Sequence, residues 1–194
     1  MDASEARDHL QLVDGILRHA DRTLHIPPAT IIAWGLFGTI VNVLHQARAS
    51  GLSVPPDGWI HLPMMLLAIS VSVWEARRRT EGRETLIDQY AGGVFCVVFI
   101  VLLLVNVTAQ HTIVPAKAMA LFWSAGFSMA LLIVGIQASR VLLAGGAALV
   151  IASITAPLIP SWFDGILALG WASGFVGPGI VLALGRPHGR TVSV

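Results

Sequence analysis

The chain has 194 residues, of which 55% are hydrophobic and only 12% charged, and its formal net charge is +1. This composition is far more apolar than that of a soluble domain and is typical of a protein embedded in lipid. The near-neutral charge gives no sign of nucleic-acid binding, and we expect neither a nucleic-acid partner nor a bound cofactor.

Residues 1–26 are predicted to form a cytoplasmic amphipathic helix. Apolar residues recur there at alternating intervals of four and three, which aligns them along one helical stripe: Ala6, Leu10, Val13, Leu17, Ala20 and Leu24. Two interpretations are open. The stripe lies in the headgroup layer or packs against its own bundle, or it docks a cytoplasmic partner protein or a second copy through Leu10, Val13 and Leu17.

Residues 27–185 are predicted to form a membrane domain, followed by a cytoplasmic tail at 186–194. About 20 apolar residues cross a bilayer as a helix, and six such runs occur, at approximately 28–45, 59–76, 90–108, 115–137, 141–158 and 165–184. The fold class is therefore an all-α integral membrane protein, and the short connections favour three antiparallel hairpins. Such spans leave little room for a soluble catalytic domain, so we assign no enzymatic activity.

The distribution of basic residues predicts the orientation of the spans. If the N-terminal segment is cytoplasmic, ten Lys and Arg residues fall inside and only Arg48 and Lys117 fall outside. Basic residues near span ends are retained in the cytoplasm, so both termini are expected there, in a bacterial-type inner membrane. The run Arg77 to Arg79 is also consistent with an anionic-lipid site, although a topological anchor explains it more simply.

Spans three and four resemble spans five and six, which indicates an internal repeat. Ala91-Gly92-Gly93 corresponds to Ala144-Gly145-Gly146, and Trp123 corresponds to Trp171 within similar surroundings. A duplicated hairpin would predict a pseudo-symmetric bundle of the kind seen in some transporters. Because Ala, Gly and Leu are abundant in this chain, chance similarity is the open alternative.

Small residues are spaced at intervals of four on spans four and five. The two ridges are Ala116, Ala120, Ser124 and Ser128, and Ala144, Ala148, Ala152 and Ala156. Such ridges allow helix backbones to approach closely, and they are expected to be core seams or an interface within a homo-oligomer. The single cysteine, Cys96, lies in an apolar run and is expected to be a small buried residue.

The sixth span contains Ser173, Gly177, Pro178 and Gly179, which together predict a kink or a break in the helix. A broken helix exposes backbone groups that bind substrates in transporters. A purely structural kink is the alternative, because neighbouring helices can satisfy the freed backbone groups.

Polar residues are predicted to gather at the outer ends of the spans: Asn42, His45, His61, Asn106, Gln110 and His111. Three imidazoles, from His45, His61 and His111, are sufficient for a zinc or copper site with an open position. They lie on separate elements without a local metal-binding spacing, so interfacial histidines in contact with water are the ordinary explanation.

Two functions compete. The first is a small-solute channel or transporter whose pathway includes Asn42, Asn106 and Gln110 near the outer side and Ser173, Gly177, Pro178 and Gly179 in the sixth span. The alternative is a non-transporting membrane anchor or sensor subunit that docks a cytoplasmic partner through its N-terminal helix. The lack of charged residues in the middle of the spans favours the alternative, because many ion-coupled carriers use such charges.

Overall fold

A computed structural model describes residues 27–79, 86–110 and 115–185 of the chain. Regular structure in these residues is helical throughout: α1 Pro28–Ala49, α2 Asp57–Arg79, α3 Leu86–Gln110, α4 Ala116–Ala138, α5 Arg140–Thr155, α6 Phe163–Trp171 and α7 Gly177–Leu184. The turns Ala156–Leu158 and Pro160–Trp162 connect α5 to α6, and a π-helical turn, Ala172–Val176, joins α6 to α7. The predicted N-terminal helix, with Leu10, Val13 and Leu17, and the tail at 186–194 lie outside the described residues.

Six helical segments are long and apolar enough to cross a membrane, which confirms the predicted number of spans and the all-helical class. They are Pro28–Ala49, Asp57–Arg78, Tyr90–Ala109, Ala116–Gln137, Arg140–Leu158 and Pro160–Leu184. Several helices extend beyond the apolar runs, because polar residues at the ends can continue the backbone hydrogen bonding of a helix. α1, for example, includes Gln46 and Arg48.

The six segments do not contribute equally to the core. α4 packs closely against α5, α5 packs against the α6–α7 segment, and this segment packs against α1. In contrast, α2 packs mainly on α1, and α3 packs mainly on α4. Only 6% of the membrane-length apolar stretch of α3 and 11% of that of α2 are buried inside the protein, compared with 44% of that of the last span. The bundle is therefore a four-segment core with α2 and α3 attached at its periphery.

Glycines allow the last span to fit between α1 and α5. A Cβ atom at Gly38 would overlap the indole ring of Trp171, and one at Gly35 would lie 2.6 Å from the Cβ of Phe175. On the other side, Gly145 lies against the backbone of Gly174. Because any larger residue at these positions would separate the backbones, the glycines set the distances between the core helices.

An aromatic cluster fills the centre of this core. Phe127 on α4 contacts Trp34 of α1 and both Trp171 and Phe175 of the last span, with centroid distances of 5.4 to 5.7 Å. Trp171 and Phe175 stack on each other at 5.1 Å. We call these four residues the aromatic cluster. Both indole nitrogens of the cluster donate hydrogen bonds, Trp171 to Ser124 Oγ at 3.0 Å and Trp34 to Ser72 Oγ on α2 at 3.2 Å.

The predicted break in the sixth span is a widened turn in the structure. The amide of Gly177 donates to the carbonyl of Ala172, five residues earlier, so the helix continues through this segment. A π-helical turn is a common adjustment next to a proline that lacks an amide hydrogen. Pro178 and Gly179 are buried, and a Cβ atom at Gly179 would meet Ile32 of α1.

The small-residue ridges are only partly in the core. Ser124, Ser128 and Ala152 are buried and Ala156 is fully buried, while Ala116 and Ala144 at the ends of the ridges are exposed.

The expectation of a buried Cys96 was wrong, because this residue is exposed on the peripheral helix α3. Residues 92 and 93 also have open surroundings, whereas their counterparts in the proposed repeat, Gly145 and Gly146, are closely packed. The repeat therefore stays a prediction.

Candidate functional site

Charged and imidazole side chains meet where α1 ends and α2 begins. Arg48 donates through Nη1 to Asp57 Oδ1 at 2.5 Å and through Nη2 to the carbonyl of Pro55 at 2.6 Å. His45 Nε2 lies 3.5 Å from the same Asp57 oxygen, and the His45 ring meets the edge of His61 at a centroid distance of 5.3 Å. We call these four residues, His45, Arg48, Asp57 and His61, the His–Asp cluster.

The turn after α1 brings the cluster together. Gly51 has a φ of +85°, a conformation that glycine adopts without steric cost. Its amide donates to the carbonyl of Arg48, and the amide of Leu52 donates to that of Ala47. This is the Schellman pattern, which satisfies the last carbonyls of a helix and reverses the chain. Asp57 then begins α2, where a carboxylate interacts favourably with the helix dipole.

The start of α6 lies at the same end of the bundle and is fastened to α1 by Gln46. The side chain of Gln46 donates to the carbonyl of Ser161 at 2.9 Å and accepts the amide of Gly165 at 3.0 Å. Asp164, which lies between Ser161 and Gly165 in sequence, is 9% exposed and lies within electrostatic range of the His45 and Lys117 side chains. This end of the molecule therefore holds two carboxylates, two imidazoles and two basic side chains from four helices.

The structure brings together two of the three predicted metal ligands. His45 and His61 are neighbours in the His–Asp cluster, and His111 lies outside the described residues. Within residues 27–79, 86–110 and 115–185, no group of three or more His, Cys, Asp or Glu side chains is arranged to hold a metal ion. The histidine metal site therefore stays a prediction.

The residues predicted to form a solute pathway lie in separate places. Asn42 is buried on α1 at 6% exposure and donates to the carbonyl of Gly38 at 2.7 Å. Asn106 lies on the peripheral helix α3 and is partly exposed, and the side chain of Gln110 is not among those described. Ser173 is exposed and donates to the carbonyl of Leu169 in its own helix.

The other three predicted pathway residues, Gly177, Pro178 and Gly179, begin α7. Gly179 packs near Ile32, which is ten residues and therefore about 15 Å along α1 from Asn42. The aromatic cluster lies between these two levels of the bundle. The described pathway residues consequently do not share one lining.

The aromatic cluster and the buried Asp164 were not predicted from the sequence. The sequence does contain one signal for the aromatic cluster. Trp123 and Phe127 are four residues apart, and so are Trp171 and Phe175. Side chains at this spacing lie on one face of a helix, and two such pairs on two spans indicate an aromatic contact. Asp164 has no comparable signal, since its burial depends on how α6 packs against α1.

Comparisons with known proteins give no relative from which a function could be transferred: no family model matches the chain, and no curated protein and no solved structure matches it either.

Proposed function

We propose that this chain is a non-transporting membrane anchor or sensor subunit, and that the stripe of Leu10, Val13 and Leu17 docks a cytoplasmic protein partner. In this proposal the six spans form three antiparallel hairpins in a bacterial-type inner membrane, with both termini in the cytoplasm. The bundle serves to hold the docking helix at the membrane surface, and the His–Asp cluster faces the opposite compartment.

The observation that carries the proposal is the packing at the centre of the core. Trp34, Phe127, Trp171 and Phe175 contact one another across three helical segments, and glycines bring the surrounding backbones close together. A solute pathway requires polar groups to replace the hydration shell of the solute. Aromatic rings in close contact offer no such groups, which supports an anchoring role for the bundle.

The sixth span supports the same conclusion. Its Gly-Pro-Gly segment resembles the interrupted helices of transporters in sequence, but Pro178 and Gly179 are buried against neighbouring helices. In this arrangement the small residues serve close packing. The helix is continuous through a π-helical turn, in which the amide of Gly177 donates to the carbonyl of Ala172, so the span lacks the complete break seen in such transporters.

Transport of a small solute is the second candidate function, and two buried oxygen atoms favour it. Among the residues that the structure describes, Thr39 Oγ1 and Asn42 Oδ1 are buried without a hydrogen-bond partner. They are three residues apart on α1 and therefore neighbours on its surface. An unsatisfied buried acceptor costs about 1–3 kcal/mol, so a bound water, cation or solute would stabilise this region.

The first test measures flux through the full-length protein. We expect proteoliposomes to release a panel of ions, sugars and amino acids no faster than protein-free vesicles prepared from the same lipids. Faster release of any solute, abolished when Asn42 is replaced by leucine, would overturn the anchor proposal in favour of transport.

The second test asks whether the stripe docks a protein. In a Cys96→Ala background, Leu10→Cys and Leu17→Cys variants are expected to crosslink in native membranes to one discrete protein. Gln11→Cys and Arg18→Cys, on the polar face of the same predicted helix, are matched controls and should not crosslink. Equal crosslinking from both faces, or labelling of the stripe only by a lipid-borne reagent, would show that the helix lies in the headgroup layer.

A further inference from the structure

We propose that the end of α2 binds the headgroup of an anionic phospholipid through Arg78 and Trp74, with an acyl chain lying along the outer face of α2. This inference does not depend on the proposed function, since a lipid can bind equally to an anchor or to a transporter. It concerns the end of the bundle opposite the His–Asp cluster.

The first observation is the geometry of the arginine. Arg78 Cζ lies 4.0 Å from the centroid of the Trp74 ring system, and both side chains are exposed. A guanidinium stacked on an aromatic face keeps its nitrogen–hydrogen edge available. This edge matches the geometry of a phosphate group, which it can bind through two parallel hydrogen bonds.

The second observation is that Glu75, the nearest carboxylate in sequence among the described residues, is engaged elsewhere. Glu75 accepts the backbone amide and the hydroxyl of Thr30 through a single oxygen, each at 2.8 Å. Thr30 lies in the first turn of α1, where free amides favour a carboxylate. In the part of the chain that the structure describes, no ion pair involves Arg78. The exposed guanidinium of Arg78, stacked on Trp74, can bind an external anion.

The surroundings of Arg78 differ from those of Arg48. Arg48, near the other end of α2, is held by Asp57 and by the carbonyl of Pro55. Arg140 is exposed at the start of α5, at the same end of the bundle as Arg78. These two exposed basic side chains complement an anionic headgroup.

The third observation is the surface next to the arginine. α2 packs mainly on α1, and its outer face is left uncovered by the other described helices. Trp74 and Leu67, at 50% and 58% exposure, follow Arg78 along this face at intervals of four and seven residues. Residues at these intervals lie on one side of a helix. An acyl chain attached to a phosphate at Arg78 would run along this apolar surface.

The test compares two lipids with identical acyl chains, phosphatidylglycerol and phosphatidylcholine, by native mass spectrometry of the full-length protein released from detergent. We expect phosphatidylglycerol to be retained several-fold more strongly. One basic side chain near an anionic surface changes binding by about fivefold, so Arg78→Gln should reduce phosphatidylglycerol retention by that factor and leave phosphatidylcholine unchanged. Arg78→Lys keeps the charge without the planar fork and should be intermediate.

Arg48→Gln is the matched control, because it removes the same charge from the last turn of α1, beside the start of α2, and should not change the lipid preference. Thermal unfolding in the same detergent checks that each variant is folded. Equal retention of the two lipids by the parent protein would overturn the proposal, as would an unchanged preference in a folded Arg78→Gln variant. Displacement of the lipid by equimolar inorganic phosphate would also overturn it, since the acyl chain would then contribute nothing.

Discussion

The indole ring of Trp171 lies against the backbone of Gly38, so closely that α1 has no room for a side chain at this position. The same ring stacks on Phe175 and donates its nitrogen–hydrogen to Ser124. One glycine thus permits a single aromatic residue to join α1, α4 and the last span.

Gly38→Ala is expected to destabilise the protein by about 1–3 kcal/mol, a typical cost for forcing extra atoms into a packed core. The new methyl group would displace Trp171 and weaken its hydrogen bond to Ser124. The free energy of unfolding, measured in mixed detergent micelles, tests this expectation. Gly92→Ala is the control, because a Cβ atom there meets nothing within 4 Å. Equal effects of the two substitutions would show that the Gly38 contact is unimportant.

Gln46→Leu is expected to loosen the contact between α1 and the start of α6. It removes two hydrogen bonds, to the carbonyl of Ser161 and from the amide of Gly165, and each contributes about 1 kcal/mol. Hydrogen exchange at Gly165 should accelerate, and the free energy of unfolding should fall. Gln137→Leu, which removes one exposed hydrogen bond to Tyr90, should have the smaller effect. The opposite ranking would contradict the role of Gln46.

Glu75→Ala is expected to destabilise the start of α1. Glu75 accepts both the amide and the hydroxyl of Thr30, and losing a carboxylate at a helix N-terminus costs about 0.5–2 kcal/mol. Thr30→Val removes only the hydroxyl contact and should cost less. Chemical denaturation of the two variants and of the double variant measures the coupling. Additive effects would show that the two residues act independently.

Reporter fusions test the predicted orientation. Fusions placed before Pro28 and after Leu184 are both expected to report the cytoplasm, because ten of the twelve basic residues lie on that side in the predicted topology. A fusion in the loop near Gly51 should report the opposite side. A cytoplasmic signal from the Gly51 fusion would reverse the orientation.

The number and positions of the spans could be predicted from the sequence because hydrophobic length is a local property. The identity of the core helices could not. α3 has the highest mean hydropathy of the six spans, 2.6, and yet the smallest buried share. In a bilayer an apolar side chain is equally suited to lipid and to protein, so hydropathy does not indicate which helices are central.

The candidate site was also predictable only in part, because some of its contacts are between neighbouring segments and others are between distant ones. The proximity of His45 and His61 follows from the short connection between the first two spans, and the structure places their rings 5.3 Å apart. The burial of Asp164 and the packing of Pro178 depend on contacts between distant segments. The Gly-Pro-Gly sequence indicated a helix irregularity, but whether the irregular segment is open or packed depends on the glycines of α1 and α5 opposite it.

The arrangement of the core has a consequence for membrane insertion. The first span makes its closest contacts with the last one, so about 130 residues after Gly38 must be synthesised before Gly38 can meet Trp171. Loop closure over such a distance is slow compared with the pairing of neighbouring helices. In a nascent chain that contains only α1 to α5, the face of α1 that carries Gly38 is therefore in contact with lipid. Truncation before Pro160 should leave an inserted but loosely assembled chain that is a substrate for membrane proteases.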